Sequence, residues 1–359
     1  MEKSTTADEL LDHPIRQIEL DKVRGRSLWV DYAKGIGIIL VVYGHVAHGI
    51  FNAGINMDKN LFMLVESVIY SFHMPLFFFL SGLFFLASME RRGSVSLLRS
   101  KLDTILYPYV IWSLLQGMVE VAMSHYVNGH TTVVQVLSLA WSPRAQFWFL
   151  YILFFAFALA TLLFRRSSIF WGCSIFIGSI FFYYFGWILP NIYLINMLSH
   201  FFVYFTAGVF AAFLLCKFNS FETKWLIPFL ALFVYSQWIF HVELGLNYVS
   251  TAALEKLLLG LISVGFVVFL AQWLTRFNLR WMAYLGQQSM TIYLVHILAG
   301  SGCRIVLQKV LGITDVGVHL LVGTLAGLLL PILFYFVCTR IGLSALFSPP
   351  KMLSFGSEH

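Results

Sequence analysis

Arg24-Gly-Arg-Ser-Leu-Trp-Val-Asp31-Tyr-Ala-Lys34-Gly-Ile-Gly-Ile-Ile-Leu-Val-Val-Tyr-Gly-His45-Val-Ala-His48 is an apolar stretch entered through a basic collar. It is long enough for one transmembrane helix, which needs about 20 apolar residues. It also carries two ionisable groups that a plain anchor does not need, Lys34 near its start and His45 deep inside. On a helix of about 3.6 residues per turn, the eleven steps between them return to within about 20° of the same face and advance about 16 Å. Lys34, Gly37, Val41 and His45 therefore share one stripe. An ionisable group inside a bilayer costs at least about 2.5 kcal/mol, so it faces a bundle interior or a water-filled cavity. This reading places His45 at a buried reaction centre and Lys34 at its cytoplasmic mouth.

The rest of the chain has the composition of a membrane protein. It is 59% hydrophobic and 11% charged, with a mean hydropathy of +0.82, against about 25% charged in a soluble domain. A soluble globular enzyme is excluded. The net charge of +6 does not point to nucleic acid, because the cations sit beside the ends of apolar segments. Cys173, Cys216, Cys303 and Cys338 all lie in or beside apolar segments without a Cys-x-x-Cys pair, which suits packing better than a disulfide or a metal. The first apolar run begins near Trp29, too late and too long for a cleavable signal peptide. Residues 1–27 are expected to be a short cytoplasmic segment.

Ten apolar segments are predicted, near 29–50, 61–88, 103–123, 146–164, 169–189, 197–216, 225–241, 255–274, 284–307 and 318–342. The fold class is thus all-α, a polytopic bundle of about ten transmembrane helices. With a cytoplasmic amino terminus, eighteen of the 23 Lys and Arg fall on the inner side, so both termini are expected there. No internal repeat, low-complexity run or appended soluble domain is evident. The membrane domain is placed at 28–342 and a short cytoplasmic tail at 343–359. His125, His130 and Pro143 fall in an outer loop ahead of the fourth segment.

Several residues are suited to chemistry. Neutral imidazole is the side chain best able to take a proton near pH 7. His45 is either such a base or a histidine packed between helices. The flanking Gly35, Gly37 and Gly44 permit close helix approach, and Asp31 lies three residues before Lys34. Lys34 reads as a snorkelling anchor or as a cation facing an anionic ligand. The Gly-Ile-Gly that follows lacks the third glycine and the preceding strand of a dinucleotide loop. His45 and His48 lie three apart, but no acidic or cysteine partner points to a metal. His73 stands just before Pro75, where the helix is expected to kink or break. It either partners His45 or satisfies carbonyls that the proline frees. Backbone, Ser or Tyr donors near this break are candidates for an oxyanion site. His296 shares a face with Ile292 and Tyr293. Arg91, Arg92, Arg99 and Lys101 form a basic cytoplasmic loop that sets topology and also suits a phosphorylated carrier nucleotide.

Four stretches carry a resemblance. Leu28 to His45, Phe72-His-Met-Pro-Leu-Phe-Phe-Phe-Leu-Ser-Gly82, Phe147-Trp-Phe-Leu150 and Leu285-Gly-Gln-Gln-Ser-Met-Thr-Ile-Tyr-Leu-Val-His296 resemble ordered motifs of the acyltransferase 3 family over about residues 28–342. The wording is most similar to the fucose 4-O-acetylase-like branch, which includes acetylases of bacterial exopolysaccharides such as xanthan. The resemblance implies a ten-helix enzyme of the bacterial cytoplasmic (inner) membrane that moves an acetyl group from cytoplasmic acyl-CoA to a sugar hydroxyl. Its co-substrate would be acetyl-CoA, without a metal. Its acceptor would be an exopolysaccharide, surface polysaccharide or lipid-linked oligosaccharide, and its partners those of a polysaccharide assembly system. The matching histidine, His45, would be catalytic and the matching cation, Lys34, would help hold the donor; the reading of the residues adds His73 as a second catalytic group, Arg91, Arg92, Arg99 and Lys101 at the donor, and Asp31, Glu66, Trp148, Tyr293 and His296 at the substrate. Many members have arginine where Lys34 stands; lysine keeps the charge and loses the bidentate fork. Many relatives carry an esterase-like domain outside the membrane, and without one, transfer is expected to finish within the membrane domain or on another protein. The rival from another class is a transporter or flippase for a polar or lipid-linked sugar, using His45, His73 and Glu66 along its pathway. A structural membrane subunit is the third possibility.

Overall fold

The computed structural model describes residues 28–123, 131–164, 168–218, 223–251 and 253–356. Arg24, Arg26, His125, His130, Arg165 and Arg166 lie outside the described residues. In chain order the first helices are α1 (Leu28–Asn52), α2 (Lys59–Tyr70), α3 (His73–Leu83), α4 (Phe85–Arg92) and α5 (Ser94–Lys101). Next come α6 (Tyr107–Ala122), α7 (Val133–Leu137), α8 (Trp148–Leu163), α9 (Ile169–Phe185) and α10 (Tyr193–Phe218). The chain closes with α11 (Leu226–Trp238), α12 (Ala253–Leu274), α13 (Arg280–Gln287), α14 (Ser289–Ile305) and α15 (Val316–Arg340). The described residues hold no strand, and ten of their helical stretches are long and apolar enough to cross a membrane. The chain is a multi-pass, all-α membrane protein.

Three boundaries differ from the sequence reading, each for a local reason. The break in the second span lies at Ser71 and Phe72, between α2 and α3, and Pro75 occupies the first turn of α3. A first-turn residue needs no N–H partner, so proline is tolerated there. Residues 91–101 are not a loop: α4 runs through Arg92 and α5 starts at Ser94, with only Gly93 between them at φ +76°, a backbone conformation that favours glycine. The third span therefore starts at Ser94, and a π-helical turn, Leu102–Leu106, sits just ahead of Pro108. Proline there removes a donor that regular helix would use. The ninth segment likewise divides at Gln288, leaving α13 separate from α14.

Helix α1 is the hub, in contact with α2, α3 and α12 to α15. In lipid, helices gain little from hydrophobic burial against one another, so close van der Waals packing over small residues carries association. Two reciprocal glycine contacts set the registers. A Cβ on Gly286 of α13 would run into the Asp31 carbonyl oxygen of α1, and one on Gly35 of α1 would meet the Met282 carbonyl oxygen at 2.6 Å. Between α3 and α10, a Cβ on Gly82 would strike the Phe205 carbonyl and one on Gly208 the Phe79 carbonyl. On another side of α1, Val42 and Val46 fill the space over Gly327 and Gly323 of α15. Tyr32, Ala33, Ile38 and Val42 are wholly buried as a result.

The carboxyl-terminal segment packs back on the bundle. The Asp103 carboxylate accepts hydrogen bonds from Ser354 Oγ (2.7 Å), Phe355 N (3.0 Å) and Gly356 N (2.9 Å). Tyr107 Oη donates to Ala345 O (2.7 Å) and Trp112 Nε1 to Leu346 O (2.8 Å). Hydrogen bonds to a charged acceptor contribute about 2 kcal/mol each. Asp103→Ala is expected to release residues 354–356, seen as new cleavage after Leu353 in limited proteolysis of the micellar protein. A tail as resistant as the wild type's would refute this role.

Candidate functional site

The α1 stripe places its two ionisable groups as the spacing predicts. Lys34 and His45 are half-buried, and Gly37 and Val41 between them are buried. The Phe77 ring and Leu76 lie over Gly37, where a Cβ would come within 2.9 Å of the ring. At the Lys34 end, Lys101 lies within electrostatic range of both Lys34 and Arg92. Its Nζ stands 4.2 Å over the Phe157 ring, and Arg92 Nη1 donates to Ser100 Oγ at 2.7 Å. Lys101 thus has two of the other four expected donor-site cations within electrostatic range, and Arg91, Arg92 and Arg99 are all exposed.

At the His45 end, imidazoles gather. The His45 and His296 rings are 5.1 Å apart at 53°, and His73 and His48 also lie within electrostatic range of His45. Buried His296 directs Nδ1 at two carbonyls, Tyr293 O (2.7 Å) and Ile292 O (3.2 Å), and its Nε2 is buried without a hydrogen-bond partner. A ring nitrogen bonded to a carbonyl must carry the proton, so His296 Nε2 holds the lone pair. The same logic applies to His73, whose Nδ1 donates to Ile69 O at 2.8 Å, where the α2–α3 break disturbs the backbone ladder. His73 therefore tends the break with one nitrogen and keeps the other as an acceptor. Of the donors expected near the break, Ser71 Oγ is committed, donating to Val68 O at 2.7 Å.

Of the other expected substrate residues, Tyr293 lies in this centre. Its ring is 5.9 Å from that of His296 and 5.5 Å from that of Phe149. Its hydroxyl donates to the Gln146 carbonyl, and the Gln146 side chain is tied to Gln116 at 2.8 Å. Trp148 packs instead on Phe201, with rings 4.9 Å apart. Asp31 is not brought to His45. It lies fourteen residues earlier, about 21 Å along the helix, and its Oδ2 accepts from Gln287 Nε2 at 3.0 Å, where it joins α1 to α13.

Glu66 meets a residue not foreseen as its partner. The carboxylate is 5% exposed and lies 2.8 Å from Nδ1 of His48, whose side chain is 46% exposed. Tyr70 and Tyr248, with rings 5.2 Å apart, both feel the Glu66 charge. Burial, reinforced by that charge, pushes the Tyr248 phenol up, so it stays a neutral donor at physiological pH. The signal in the sequence was His48 standing one turn beyond His45; its pairing with a residue on the next helix was not readable there.

The chain is similar to known proteins along much of its length. The family model described as an acyltransferase domain, of the acyltransferase 3 type, matches residues 27–339. The chain is 30% identical over 146 residues to nodulation protein NolL of Mesorhizobium japonicum, covering 40% of this chain and 38% of that one. It is 28% identical over 137 residues to NolL of Sinorhizobium fredii, covering 38% and 36%. The match thus spans little more than a third of the length of these curated relatives. No solved structure matches.

Proposed function

We propose, from the premise that the chain belongs to the acyltransferase 3 family, that it moves an acetyl group from acetyl-CoA to a sugar hydroxyl of a bacterial exopolysaccharide or its lipid-linked precursor. The observation that carries this reading is the division of α1: a cluster of Lys34, Arg92 and Lys101 at one end, and the His45–His296 pair at the other. Cations suit the phosphates of CoA. A half-buried imidazole faced by a second imidazole with a fixed lone pair suits proton removal. The cation end would lie at the cytoplasmic face of the inner membrane, where acyl-CoA is found.

In the reaction so assigned, the hydroxyl proton passes to a ring nitrogen of His45 as the hydroxyl oxygen attacks the thioester carbonyl carbon. The carbon–sulfur bond breaks, and the proton goes to the departing thiolate, leaving ester and CoA thiol. Transient transfer of the acyl group to His45 gives the same products in two steps. The lone pair of His296 stabilises the His45 imidazolium in either route, and the Tyr293 and Gln146 contacts hold His296 in place.

Donor binding tests the cation end. Lys34→Gln is expected to weaken acetyl-CoA binding about tenfold by calorimetry, the effect of losing one charge-assisted contact. Acetyl-CoA bound equally well by wild type and variant, or sugar flux through proteoliposomes without CoA release, would overturn the reading.

A further inference from the structure

We propose that Glu66 and His48 form a docking subsite for the hydroxyls of a sugar acceptor at the end of the bundle opposite the cation cluster, a site that rests on the acyltransferase reading of His45. A carboxylate 5% exposed on a transmembrane helix, with one imidazole against it, is costly to keep and marks a functional position. The pair is not needed to join α1 to α2. Six residues already connect them, and the Phe51 and Phe62 rings stack at 4.3 Å across the same contact.

The surroundings suit a polyol. Glu66 can accept hydrogen bonds from hydroxyls, the His48 side chain beside it is 46% exposed, and the Tyr70 and Tyr248 rings lie within range of the carboxylate. Ser67 Oγ accepts from Tyr248 N at 2.9 Å, fixing the segment that carries Tyr248 against α2. A cavity of about 150 Å³ adjoins the carboxylate; its walls are mainly apolar, Ala47, Phe62 and Ile69 among them, and Glu66 is the charged group that lines it. The site also connects to the reaction centre. The Tyr70 ring lies over Gly44, where a Cβ would sit 3.1 Å from it, and meets the His73 ring at 4.7 Å. An acceptor held at Glu66 is therefore one side chain, Tyr70, away from His73, which lies within electrostatic range of His45.

The test titrates a lipid-linked sugar extract against purified protein at saturating acetyl-CoA, reading CoA release. Glu66→Gln and His48→Gln are expected to raise the half-saturating extract concentration about tenfold, with acetyl-CoA affinity by calorimetry unchanged. Unchanged half-saturation in both variants would overturn the subsite. Joint loss of acetyl-CoA binding would overturn it too, by showing that the pair only ties helices together. A wild-type protein that releases no CoA with the extract present would remove the acyltransferase reading itself, and the subsite with it.

Discussion

His45→Ala protein is expected to bind acetyl-CoA as the wild type does and to transfer its acyl group about 100- to 10,000-fold more slowly, the range that a positioned general base contributes. His45 and His296 are the imidazoles in ring contact, at 5.1 Å, and the Nδ1 of His296 is committed to backbone carbonyls. His45 is thus the imidazole packed against His296 on the helix face that leads to Lys34. Calorimetry with acetyl-CoA beside an initial-rate assay separates the two properties. Equal rates would remove His45 from the chemistry, and parallel loss of binding and rate would make it a packing residue.

Gly286→Val is expected to prevent assembly of the bundle. Its side chain would occupy the position of the Asp31 carbonyl oxygen, so α13 would have to move off α1 and the Asp31–Gln287 hydrogen bond would be lost. Overpacking of this kind costs about 3 kcal/mol, and backbone cannot yield as a flexible side chain can. Size-exclusion chromatography in detergent should show aggregate in place of a monodisperse peak. Gly302→Val is the control, since nothing stands within 4 Å of a Cβ there. Equal behaviour of the two variants would contradict the close approach of α1 and α13.

The bilayer explains why the spans were legible. A crossing helix must present about 20 apolar residues, and that demand is written along the sequence without reference to any partner. Lys34 and His45 were legible for a similar reason, because both lie on one helix whose periodicity fixes their faces. What escaped depends on contacts between distant segments. The Asp103 carboxylate meets residues 251 to 253 positions away, so the tail read as a stub. Tyr293 and Gln146 are 147 apart. Arg92 and Lys101 could not be separated from Arg91 and Arg99 while residues 91–101 read as a loop; the pair of short helices brings Arg92 within electrostatic range of Lys101. Pro75 drew attention to the second span, but the break sits at Ser71 and Phe72 because proline is accommodated in a first turn.

The measurement that bears most directly on the assignment is CoA release by the purified protein in detergent, supplied with acetyl-CoA labelled in the acetyl group, with and without a lipid-linked sugar extract. The account predicts release that depends on the extract and matches, mole for mole, the label recovered in the lipid fraction. Folded protein that binds acetyl-CoA yet releases no CoA when the extract is present would contradict it.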